Sequence, residues 1–132
     1  MEKKNSPEVA AMFAAMRAER EAFEKERPQR QAEGLEALRR LLPIARSDTG
    51  QSRIIAHFLL GLYNGFRFKF DLTDFRGLDR AIFEDCLAVL RMDFQPAQEV
   101  HTYFENGGAI WEQMAKDWNV TDYYKLEQAA KK

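Results

Sequence analysis

Apolar residues recur at helical spacing in almost every segment of this chain, and only one stretch alternates with the period of a strand. That stretch is Phe66-Arg67-Phe68-Lys69-Phe70, apolar then basic in strict turn. A lone short strand has no partner inside the chain to satisfy its backbone. The segment is therefore expected to be an extended connector that lays three Phe rings on the core, or an edge that pairs with another copy. The pattern as a whole predicts an all-α fold: a compact single domain of five to seven short helices.

Local chemistry suggests where the helices begin and end. Ser6-Pro7 reads as an N-cap with proline in the first turn, and Pro28 as the stop of that first helix. Its apolar residues are Val9, Met12, Phe13, Met16 and Phe23, a thin seam broken by Glu19 and Arg20. Such a helix packs by one narrow face, or projects and finds a partner. Residues 1–28 are accordingly set apart as a charged amphipathic helix, and residues 29–130 as the helical core domain.

A second helix over residues 29–45 buries Leu35, Leu38, Leu41, Leu42 and Ala45, is weakened at Gly34 and should kink at Pro43. Asp48 with Gln51 resembles a capping box for a third helix. That helix carries Ile54, Ile55, Phe58, Leu59, Leu62 and Tyr63, the widest apolar face in the chain, which places it at the centre of the core. Asn64-Gly65 reads as its C-cap. After a short turn or helix over Asp71–Gly77, a fourth helix from about Leu78 to Met92 turns Leu78, Ile82, Phe83, Cys86, Leu87 and Leu90 inward. Pro96 is expected to open a fifth helix through Val100 and Phe104, closed by Asn106-Gly107-Gly108. A sixth holds Ile110, Trp111, Met114 and Trp118, and Thr121 caps a last one with Tyr123, Tyr124 and Leu126.

The chain's 132 residues, 45% hydrophobic, suffice for one packed core without disulfide or metal. With Cys86 as the single cysteine, no intramolecular disulfide can form, and a reducing compartment is expected. No apolar run approaches the ~18 residues of a membrane span, and the N-terminus lacks the apolar region of a signal peptide. The expected setting is cytoplasmic, with no membrane partner. Charge is uneven: residues 1–70 carry a balance of +4 and residues 71–132 one of −5.

The residue types for catalysis are sparse. His57, His101 and Cys86 show no spacing of a nucleophile with its base, and Cys86 lies on an apolar stripe as an inert thiol would. One Cys and two distant His make no soft-metal site. Asp71, Asp74, Asp79, Glu84 and Asp85 cluster within fifteen residues, but they lack the spacing of a calcium loop and suit helix starts. Phosphate-binding glycine motifs are absent. The expectation is no catalytic residue, no cofactor and no metal.

Two surfaces remain as candidates. Met12, Phe13, Met16 and Phe23 on the first helix, with Trp111, Trp118, Tyr123 and Tyr124 in the aromatic C-terminal third, suit a protein partner of unknown identity or a homodimer. Alternatively, Arg39, Arg40, Arg46, Arg53, Arg67 and Lys69 could form a basic face for nucleic acid, with Phe rings beside Arg67 and Lys69 as stacking platforms. A pI near 6.1 weighs against that second reading.

The middle of the chain carries a resemblance. Leu38–Ala45, Asp48-Thr49-Gly50-Gln51-Ser52-Arg53, Phe70-Asp71-Leu72-Thr73-Asp74 and Leu78-Asp79-Arg80-Ala81-Ile82 resemble a family of small uncharacterised proteobacterial proteins found on plasmids, integrated elements and prophages. The likeness covers roughly residues 35–93. It brings no activity and no functional residues. It implies an accessory protein of bacterial mobile DNA, acting on host proteins or on gene expression.

Overall fold

The computed structural model describes residues 6–131. Six α-helices and two 3-10 turns account for its regular structure, and no strand occurs among the described residues. The all-α expectation holds.

Helix α1 spans Pro7–Lys25, with the Ser6 hydroxyl accepting from the Val9 amide at 3.1 Å. Helix α2 spans Arg27–Ala45 and follows after a single joint residue, Glu26. Pro28 therefore opens α2 rather than closing α1. A first-turn amide has no helical acceptor, so proline costs nothing there. Pro43 lies inside α2. The helix runs on regardless to Ala45, held by the buried Leu41, Leu42 and Ala45, while the Ser47 hydroxyl donates to the Pro43 carbonyl at 3.0 Å.

Helix α3 spans Gly50–Tyr63. Its capping box is Thr49 with Ser52, one residue off the Asp48–Gln51 pair that the spacing suggests: each side chain accepts from the other residue's amide, at 3.0 and 3.2 Å. Ile55, Ala56, Leu59 and Leu60 on α3 are inaccessible to solvent, and the helix touches α2, α5 and both 3-10 turns, so its central place is real.

Asn64 ends α3 in an extended conformation, not by a left-handed glycine. Its side-chain oxygen instead accepts from the Phe66 and Arg67 amides. The residues that follow are a connector, not a strand. Phe68 is buried, Phe70 is half-buried against Phe58 and Phe75, and Phe66 stands exposed, so two of the three rings reach the core.

A 3-10 turn over Leu72–Gly77 leads to α4, Arg80–Asp93, which buries Cys86, Val89 and Met92. Leu90, expected inward, is exposed. Helices α2 and α4 form the most extensive helix pair, and Gly34 explains it. A Cβ on Gly34 would lie 2.4 Å from the Met92 Cβ and 3.0 Å from the Ala88 carbonyl oxygen. Gly34→Ala is expected to lose about 1–3 kcal/mol by overpacking, despite alanine's better helix propensity. Denaturant unfolding checks this, and unchanged or raised stability would deny the close crossing.

The helix expected from Pro96 to Phe104 is only a 3-10 turn, Val100–Tyr103. Asn106, at φ 58°, turns the chain directly into α5, Gly107–Asp117, so Asn106-Gly107-Gly108 starts a helix instead of ending one. Gly107 is obligatory because a Cβ there would meet the His101 carbonyl oxygen at 1.7 Å. Helix α6, Tyr123–Ala130, is capped by Asp122 rather than Thr121: its carboxylate accepts from the Tyr124 and Lys125 amides.

Candidate protein-docking surface

Helix α1 buries no residue, and every position from Ala10 to Ala22 is exposed. The Ser6 cap and helical hydrogen bonds hold its N-terminal turns, which bury nothing among the described residues. Only its C-terminal end is anchored. The Arg30 guanidinium lies 3.2 Å above the Phe23 ring and donates to the Phe23 carbonyl, and the Phe23 ring meets Phe94 edge-on at 6.1 Å.

That anchor sits in a larger apolar surface. One groove is lined by Met16, Glu19, Arg20, Phe23, Phe94 and Gln95, and an adjoining one by Phe23, Leu87, Leu90, Arg91 and Phe94. Met12 extends the strip by one turn along α1 and Phe13 flanks it, and both are exposed. At 100° per residue Met12, Met16 and Phe23 fall within about 40° of one another on α1, while Phe13 lies further round the helix. Phe94 and Leu90 were invisible to sequence reasoning as members of it. Leu90 fits the inward pattern of α4, and Phe94 lies just past that helix, so neither carries a sequence signal of exposure.

The C-terminal aromatics divide. Trp111 is fully buried, its indole N–H donating to the Leu59 carbonyl at 3.0 Å, and in this conformation it offers no surface to a partner. Trp118 is half-buried and donates to the Ala45 carbonyl at 3.1 Å. It borders a cavity of about 550 Å³ shared with Arg46, Ser47, Asp48, Met114 and Asp117. Tyr123 and Tyr124 are exposed on α6, which buries nothing, and Tyr124 lies 6.3 Å from the exposed Phe66 ring. These form a second, smaller aromatic patch.

The basic residues do not form one open face. Arg67 is the centre of a partly buried ion cluster, donating to Glu112 at 2.7 and 2.9 Å and to Asp122 at 3.0 and 2.8 Å. Tyr63 donates to the same Glu112 at 2.5 Å. Hydrogen bonds from Arg67 hold the Glu112 carboxyl down at about 2. Burial pushes Asp122 up, yet Arg67 and the α6 amides outweigh it and hold it low. Burial and the Glu112 carboxylate raise the Tyr63 phenol. The cluster ties the end of α3 to α5 and to the start of α6. Arg40 is engaged by Asp85 on α4 at 2.9 and 3.0 Å, and the Lys69 ammonium donates to the Gly65 carbonyl at 2.7 Å. Arg39, Arg46 and Arg53 are exposed.

The acidic residues are similarly dispersed. Asp71 caps the first 3-10 turn, accepting from the Thr73 amide and hydroxyl; Asp79 exchanges hydrogen bonds with Gln51; Asp85 holds Arg40. Among the described residues no group of three or more His, Cys, Asp or Glu is placed to hold a metal ion. Burial lifts the Cys86 thiol to about 12, so at neutral pH it is protonated and a poor nucleophile. Burial also lowers the His57 imidazole, with the Arg53 charge adding to it. Among the described residues no helix is long and apolar enough to cross a membrane.

A sequence-family model described as a family of unknown function (DUF7673) matches residues 35–119, which takes in α3, α4, α5 and most of α2 but none of α1 or α6. No curated protein and no solved structure matches the chain.

Proposed function

The chain belongs to the DUF7673 family of unknown function, and we propose that it is a non-catalytic binding protein acting through protein–protein contacts. One observation carries this reading: most of the large exposed apolar side chains gather in two places, Met12, Phe13, Met16, Leu90 and Phe94 around α1 and the end of α4, and the patch around Phe66 and Tyr124, while Leu72 stands apart. Contiguous apolar surface on this scale marks an interaction site more often than idle exposure. In the setting implied by the sequence resemblance, bacterial mobile DNA, such a module would modulate a host protein. The nucleic-acid alternative is weaker, because Arg67, Arg40 and Lys69 are committed to partners within the chain.

Capture from host lysate, with and without nuclease, tests the reading. The wild-type chain should retain a stoichiometric protein through nuclease and moderate salt. The variant Met12→Glu/Met16→Glu/Tyr124→Glu should lose it. Retention of nucleic acid alone, falling steeply with ionic strength, would favour Arg39, Arg46 and Arg53 instead.

A further inference from the structure

We infer that the α1 strip is a self-association surface, occupied by α1 of a second copy of this chain. The inference rests on the protein-contact reading above and names the partner for one of its two surfaces. Three observations support it.

The first is the area. Met12, Phe13, Met16, Leu90 and Phe94 are 53, 46, 48, 36 and 71% exposed. At about 200 Å² for a fully exposed large side chain, they offer roughly 500 Å² of apolar surface per copy. Interfaces are about 60% apolar, so this core implies about 800 Å² on each partner, the size of a standard stable interface.

The second is charge. At 100° per residue, Glu8 and Glu19 fall along one edge of the Met12, Met16 and Phe23 line, and Arg20, Phe13 and Arg17 follow in turn along the other. Glu24 is engaged by Arg27 at 3.8 Å. The surface is near neutral and bears both signs, so it selects neither a basic nor an acidic partner. A second copy presents both signs in return.

The third is the helix itself. An isolated helix of this length is marginal in water, and among the described residues the aromatic and cation–π contacts of α1 lie at its C-terminal end. Pairing along Val9, Met12, Met16 and Phe23 supplies the burial that its own domain does not.

Sedimentation velocity on the full chain across a concentration series tests this, beside Met12→Glu/Met16→Glu. Neither substituted side chain is buried, so the variant should keep the wild-type melting transition at low concentration. The wild type should sediment as a dimer at tens of micromolar, and the variant as a monomer. A wild type that stays monomeric, or a variant that still dimerises, overturns the inference. A monomeric wild type that nonetheless captures a protein lost by the strip variant would leave the broader binding reading standing, so the two fail separately.

Discussion

Trp111→Ala should cost about 3–5 kcal/mol, which is a large part of the stability a domain of this size has to lose. The side chain is wholly enclosed between α5 and α3. Its ring packs on Phe104 at 5.7 Å, and its N–H satisfies the Leu59 carbonyl. Truncation removes the largest apolar contribution in the core and leaves a cavity that rigid neighbours cannot fill. Trp111→Phe keeps most of the volume and loses only the hydrogen bond, so it should cost much less. Chemical denaturation gives both numbers. A loss below about 1 kcal/mol for alanine would mean that Trp111 is not in the core at all, and would return it to the set of docking residues.

Arg67→Ala is the second large effect, expected at about 2–3 kcal/mol. The Arg67 side chain is 20% exposed and that of Asp122 12%, so removing Arg67 strands Asp122 in a poorly hydrated place, while water reaches Glu112, which is 38% exposed. Breaking a buried pair from one side is costly for that reason. Arg40→Ala removes a pair of similar geometry, but that guanidinium is 58% exposed and water replaces it, so the loss should stay below about 1 kcal/mol. The cluster also gives a pH signature. Glu112 titrates near 2 when folded, against an ordinary 4.5. A depressed carboxylate contributes stability that is fully present above 4.5 and drains away as the pH falls toward 2. Wild-type stability should decline across that window, and Arg67→Ala should decline less. Equal slopes would show that Arg67 does not set the carboxylate's affinity for protons. A nucleic-acid role for Arg67 predicts the opposite pattern: binding lost and stability intact.

The fold was legible where one strong periodicity met little competition. The wide face of α3 and the stripes of α2 and α4 read directly as core, because burial of an apolar face dominates the energetics of a helix. Cap chemistry was misread at several ends. Thr49 and Asp122 cap where Asp48 and Thr121 stand one residue earlier, and one residue lies within the ambiguity of side chains that accept from the same amides. Pro96 and Asn106-Gly107-Gly108 were misread as the bounds of a helix. The real constraint is the tight contact of Gly107 with the His101 carbonyl, a tertiary fact with no local trace. Gly34 had the same character: locally a weak helix residue, globally the place where α4 crosses. The candidate surface was half legible. The thin seam of α1 signalled a helix short of a partner. Nothing local separates Trp111 from Tyr124, since both are aromatic at helical spacing, and only packing decides which is hidden. Arg67 alternates with Phe rings as a stacking strip would, yet its partners Glu112 and Asp122 lie far along the chain.

The most direct test of α1 as a self-association surface is amide hydrogen exchange on the full chain at submicromolar and at tens-of-micromolar concentration. The account predicts that amides of residues 10–22 exchange quickly in dilute solution and become protected as concentration rises, while α3 stays protected throughout. Exchange in α1 that does not depend on concentration, whether fast or slow, would contradict it.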